Sequence, residues 1–147
     1  MKRIILGFLL ISSFSVKAQD NKGEINETFK IAQPKDIVYS NILIWTAQSF
    51  NDANSVIKLK DKDLGVIVLK SNSKSDSFIT SYTMTFKISD TQCTLNIKDW
   101  QESQYNYVFG LNNCYTNSCK KNYEKWLLNV NQLGLKFVKE LSPEIIK

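Results

Sequence analysis

Two neighbouring segments with strict two-residue alternation constrain the fold more than anything else in the chain. Tyr82, Met84, Phe86 and Ile88 alternate with Ser81, Thr83, Thr85 and Lys87. After Ser89-Asp90, Cys93, Leu95 and Ile97 alternate with Gln92, Thr94, Asn96 and Lys98. Successive side chains of a strand point to opposite faces. The two segments therefore predict antiparallel strands in a sheet that is covered on one face and hydrated on the other.

The flanking sequence supplies the cover. Residues 27–32 read as a short first strand. Pro34 and Asp36 then suit the first turn of a helix over 35–50. Val38, Ile42, Trp45 and Ser49 recur at helical spacing, in a stripe widened by Ile37, Leu43, Ile44 and Phe50. Residues 56–60 and 64–71 read as strands around an Asp61-Lys62-Asp63 turn, and 71–77 as a polar loop. Cys119, Tyr123, Trp126, Val130, Leu133, Phe137 and Leu141 follow helical spacing. Pro143 is expected to stop that helix after Leu141-Ser142. Gly134 inside it costs ~1 kcal/mol against Ala, which points to close packing on the sheet. The order β-α-β-β-β-β-α predicts an α+β two-layer sandwich, an antiparallel sheet with the helices on one face.

The N-terminus reads as an address. Lys2 and Arg3 precede an apolar run of about thirteen residues, against the ~20 of a membrane span. Val16-Lys17-Ala18 then offers a cleavage site before Gln19, as in a secretory signal peptide. The expected organisation is a signal peptide at 1–18, a flexible leader at 19–26, one domain at 27–142 and a tail at 143–147. The expected product is periplasmic or secreted, with no stable transmembrane anchor. The formal charge of +5 falls to +2 once Lys2, Arg3 and Lys17 leave, because no acid leaves with them. That is too weak and too dispersed for a nucleic-acid binder. In an oxidising compartment Cys114 and Cys119 are the natural disulfide pair, closing a short loop worth roughly 2 kcal/mol. Cys93 sits in the apolar phase of its strand, as a small buried hydrophobe.

The chain contains no histidine, which removes imidazole bases and His-ligated metals. No cofactor or metal is called for. Asp61 and Asp63 mimic the start of a calcium loop, but Asn72 stands where its bidentate acid belongs. Ser71 and Lys74 match a Ser-x-x-Lys pattern without its companion motifs. Asp99 and Glu102 are the candidate carboxylate pair for a hydrolase. Lys58, Lys60, Lys87 and Lys98 with Thr83, Thr85, Thr94 and Asn96 form a possible binding platform on the hydrated face, or simply a soluble face that discourages edge pairing. Tyr105, Tyr107, Phe109 and Tyr115 read equally as a recognition patch or as cover for the end of the core.

Asp36, Tyr39, Trp45, Phe50, Val56-Ile57, Gly65-Val66-Ile67 and the Tyr82/Phe86 strand together resemble a family of exported bacterial domains of unknown function with a TATA-binding-protein-like (TBP-like) fold. The likeness covers roughly residues 28–100. It implies that fold and export, and it carries no catalytic residues. A shared fold transfers no DNA binding. The expected role is a non-catalytic module that contacts another envelope component or a polar ligand. The alternatives are a small-ligand binder, marked by a cavity between Trp126 and the sheet, and a hydrolase, marked by a buried carboxylate pair in a cleft.

Overall fold

The alternating segments form the middle of an antiparallel sheet. The computed structural model describes residues 24–75, 78–104, 107–109 and 117–146. Its strands are β1 (Ile25–Lys30), β2 (Ile57–Asp61), β3 (Val66–Ser75), β4 (Phe78–Ile88), β5 (Gln92–Gln104) and β6 (Tyr107–Phe109). They order as β1-β5-β4-β3-β2, with β6 pairing β5. The helices are α1 (Lys35–Ser49), the four-residue α2 (Ala53–Val56) and α3 (Asn117–Ile146). Because β1 and β2 are opposite edges, α1 and α2 carry the chain from one side of the sheet to the other. Among the described residues, no helix is long and apolar enough to cross a membrane.

Register shows which residues lie beneath the helices. Ile25, Ile97, Met84, Leu69 and Ile57 stand opposite one another in a single row, and Leu95, Phe86 and Ile67 in the next. Met84, Phe86, Ile67, Leu69, Leu95 and Ile97 are inaccessible to solvent. Fully burying such side chains is worth ~1.5–3 kcal/mol each. From α1 the inward residues are Val38, Tyr39, Ile42, Trp45 and Thr46. The buried stripe is narrower than its sequence suggests, because Ile37 and Ile44 stay exposed. The buried Thr46 hydroxyl donates to the Ile42 carbonyl at 2.8 Å, so it leaves no unpaired polar group.

An aromatic cluster joins the layers. Phe137 of α3 lies 6.2 Å from the Trp45 ring and 5.4 Å from Tyr82, and Tyr82 lies 5.2 Å from Trp100. Trp100 reaches this side through a bulge. Between Ser81 and Thr83 the β4–β5 register slips, and Asp99 takes a left-handed φ of 56°. The extra residue reverses the alternation, so inward odd positions through Ile97 become an inward even position at Trp100. Asp is among the few non-glycine residues that tolerate this conformation.

Several expected boundaries move. The first strand begins at Ile25, inside the expected leader, and Ile25 packs against the core. β3 runs to Ser75 in register with β4, so most of the expected 71–77 loop is strand. The stretch after Trp100 holds the rest of β5 and then β6.

Pro143 does not end the last helix, which continues to Ile146. Proline has no N–H to bond the Lys139 carbonyl, but the Ser142 hydroxyl donates to that carbonyl at 3.4 Å. Ile145, expected in a tail, is fully buried. Hydrophobic anchoring beyond the proline offsets the lost backbone bond.

Two glycines mark close approaches. Gly65 closes the β2–β3 turn at φ +68°, and a Cβ there would collide with the Ile88 carbonyl oxygen. The Gly65 carbonyl accepts from Ile88 N–H at 2.8 Å. Gly134 brings α3 down on β1, where a Cβ would meet the end of the Ile25 side chain.

Gly65→Ala should therefore cost at least about 2 kcal/mol in denaturant unfolding, from left-handed strain plus a clash with fixed backbone. Gly134→Ala should fall within about 1 kcal/mol of wild type, since helix propensity opposes a movable side-chain clash. Equal costs would contradict these packing assignments. Ile145→Ala should lose ~2–4 kcal/mol by the same measurement, where a frayed tail would lose almost nothing.

Candidate ligand site

The uncovered face of the sheet presents Thr83, Thr85 and Lys87 of β4 beside Thr94, Asn96 and Lys98 of β5, with Thr85 opposite Asn96 and Thr83 opposite Lys98. Lys87 and Lys98 are exposed, and the threonines and Asn96 are half-buried. Asn96 donates to Asn26 at 2.5 Å and to Glu24 at 2.6 Å, which ties the edge strand across this face.

Two of the expected platform lysines lie elsewhere. A bulge between Ile57 and Leu59 shifts the parity of β2 and seats Lys60 opposite Ile67, in the row the helices cover. Lys58 occupies the bulge and donates to the Ser55 carbonyl at 2.6 Å. Lys70, which the sequence reading passed over inside an apolar run, takes a place on the open face opposite Thr83. Its signal was the alternation of Ile67 and Leu69 with Val68 and Lys70.

The other candidate groups are separated or occupied. Ser71 pairs opposite Tyr82 on the covered face, while Lys74 pairs opposite Ile79 in an open-face row. Three residues apart on one strand, they point in opposite directions and cannot act as nucleophile and base. The Asp61 carboxylate accepts Leu64 N–H at 2.9 Å inside its turn. Lys35 donates to the Asp63 carbonyl at 2.6 Å, and Lys62 pairs with Asp36 at 3.2 Å. The calcium-like segment thus fastens the β2–β3 turn to the start of α1. Among the described residues, no group of three or more His, Cys, Asp or Glu side chains is arranged to hold a metal.

Asp99 is exposed at its bulge, and Glu102 stands opposite Thr80 in register, its side chain outside the described set. Cys114, Tyr105 and Tyr115 lie outside the described residues, as do the side chains of Cys119, Tyr107 and Phe109. The expected disulfide and aromatic patch therefore fall beyond the described structure.

A cleft of about 240 Å³ opens between α3 and the far ends of β3 and β4. Ser73 and Thr80, directly opposite each other, supply its sheet wall. Asn129, Val130, Gln132, Leu133 and Lys136 supply its helical wall. The spacing of these helix residues places them along one side of α3. Thr80 is held in place by Trp126, whose indole N–H donates to the buried Thr80 hydroxyl oxygen at 3.2 Å.

Sequence reading missed Ser73 because it fell in the expected loop. Thr80 lies just ahead of the Ser81–Ile88 alternation and so falls outside that pattern. The available signal was a polar residue at an inward position, two before Tyr82.

Burial perturbs several groups away from the cleft. It pushes the Cys93 thiol and the Tyr82 phenol up to about 12, the latter opposed by a hydrogen bond with the Ser71 side chain. Glu27, opposite Leu95 on the covered face, has its carboxyl raised by desolvation.

The architecture defines an α+β protein of the TBP-like class, with helices on one face of an antiparallel sheet. Residues 26–103 match the family described as a domain of unknown function (DUF4468) with TBP-like fold, and the chain belongs to that family. Two solved structures share the fold. A DUF4468 family protein from Bacteroides ovatus aligns with TM-score 0.59 and 13% identity over 84% of this chain and 89% of its own. A TBP-like protein from Parabacteroides distasonis aligns with TM-score 0.61 and 16% identity over 87% and 98%. No curated protein matches the chain.

Glu27 provides a pH test. A carboxyl whose folded pKa is raised binds protons more tightly in the fold, so stability falls as pH rises above the ordinary Glu value of ~4.3. Glu27→Gln should raise the thermal midpoint at pH 7, and the gain should vanish near pH 4. For Cys93 and Tyr82 the same sign applies at alkaline pH. The unfolded chain ionises first, and Cys93→Ala should flatten the loss of stability from about pH 9 upward in denaturant titrations.

Proposed function

We propose that this chain is a non-catalytic binding module of an exported protein, holding a small ligand between α3 and the sheet. The cleft beside Trp126 and Thr80 carries this reading. It combines a polar rim with apolar surface from Val130 and Leu133, so that a short hydrocarbon body and a polar end can both be met. Its volume lies just under the usual ~300–1,000 Å³, which favours a compact ligand. The absence of histidine from the chain and the opposed directions of Ser71 and Lys74 support binding rather than catalysis. The signal-like N-terminus supports action in the periplasm or outside the cell.

A second reading rests on the open face. Lys70, Lys87 and Lys98 there surround threonine hydroxyls that none of the described helices covers, a surface suited to an acidic envelope partner.

Chemical-shift mapping with a library of small fragments separates the two readings. Hits should converge on the amides of Ser73, Thr80, Asn129 and Leu133. Hits scattered over the surface, or none, would defeat the cleft reading. The platform reading would gain if capture of an envelope component were abolished by Lys87→Glu with Lys98→Glu while the thermal midpoint held.

A further inference from the structure

The cleft has a polarity as well as a shape. Among the described residues, its lining contains one cation, Lys136, two hydroxyls from Ser73 and Thr80, two carboxamides from Asn129 and Gln132, and no acid. The Thr80 oxygen already accepts from Trp126, so its own proton remains available to another acceptor. Among the described residues, Ser73, Asn129 and Gln132 have no side-chain hydrogen bond. Every polar group of the described rim can donate, and its one charge is the Lys136 cation, while Val130 and Leu133 supply apolar surface. The space equals about eight waters at ~30 Å³ each, enough for a short chain and too little for a large ring system.

We propose, on the small-ligand reading above, that the cleft takes a small organic carboxylate. Its hydrocarbon body lies against Val130 and Leu133, and its carboxylate meets the Lys136 ammonium and the neighbouring amide and hydroxyl donors. Lys136 is available for this. Its present partner, Glu140, lies 3.7 Å away on the same helix, and both side chains are largely exposed at 67% and 42%. Exposed pairs of this kind contribute little. Glu140 also competes directly for the ammonium that would hold the ligand.

The test is a titration of the ¹⁵N-labelled chain with hexanoate, 1-hexanol and hexylammonium, following the amides of Ser73, Thr80, Asn129 and Leu133. Hexanoate should produce saturable shifts and bind about fivefold more tightly than hexanol, the scale of one partly exposed charge pair. Hexylammonium should bind more weakly than either. Lys136→Gln should bring hexanoate down to the hexanol affinity and leave hexanol unchanged, and Glu140→Gln should tighten hexanoate alone. Both positions are solvent-exposed, and an unchanged thermal midpoint verifies each fold. Equal affinities for hexanoate and hexanol, or indifference to Lys136→Gln, would overturn the carboxylate assignment while leaving a small-molecule cleft. Absence of saturable shifts with all three compounds would overturn the cleft itself.

Discussion

The structure depends on one asymmetric contact, the burial of a single sheet face by helices that span it. α1 reaches between the two edge strands because the chain must travel from β1 to β2. α3 then lies beside it, and Phe137 enters between Trp45 and Tyr82. Edge-to-face and tilted ring contacts add to the area term and orient the layers. Remove that contact and neither layer has a dry side, since the opposite sheet face is mostly hydroxyl, amide and ammonium with only scattered apolar side chains such as Val68.

The same asymmetry produces both candidate surfaces. Where α3 and sheet meet closely, as at Gly134 against Ile25, no space remains. Toward the far ends of β3 and β4 the inward positions become Ser73 and Thr80, and the layers part around polar groups. The cleft is thus what the sandwich becomes where its inward residues cease to be hydrocarbon. Trp126 fixes Thr80 of its sheet wall with a bond that would be costly to leave unmade in so buried a place.

Much of this was legible in the residues. The Tyr82–Ile88 and Cys93–Ile97 alternation marks each inward side chain correctly, because one covered face imposes a period of two. The spacing of Trp126, Val130, Phe137 and Leu141 does the same for α3. What escaped detection were local events that period alone does not encode. A bulge at Lys58 reversed the direction of Lys60, and another at Asp99 turned Trp100 inward. Pro143 looked terminal because its lost bond is visible in sequence, whereas the Ser142 hydroxyl and the buried Ile145 that compensate it are tertiary facts. The cleft was anticipated only as a condition. Its sheet wall fell in a serine-rich stretch that resembles a loop by composition and pairs as a strand by register.

The meeting of Gly134 with Ile25 has a temporal consequence. Opposite ends of the sequence must find each other before β1 has its roof, so the costliest loop closure comes late. A ribosome delivering this chain releases the whole sheet before the helix that seals its edge. Until then the nascent protein exposes a greasy margin and has no finished interior. The fold locks only when α3 arrives.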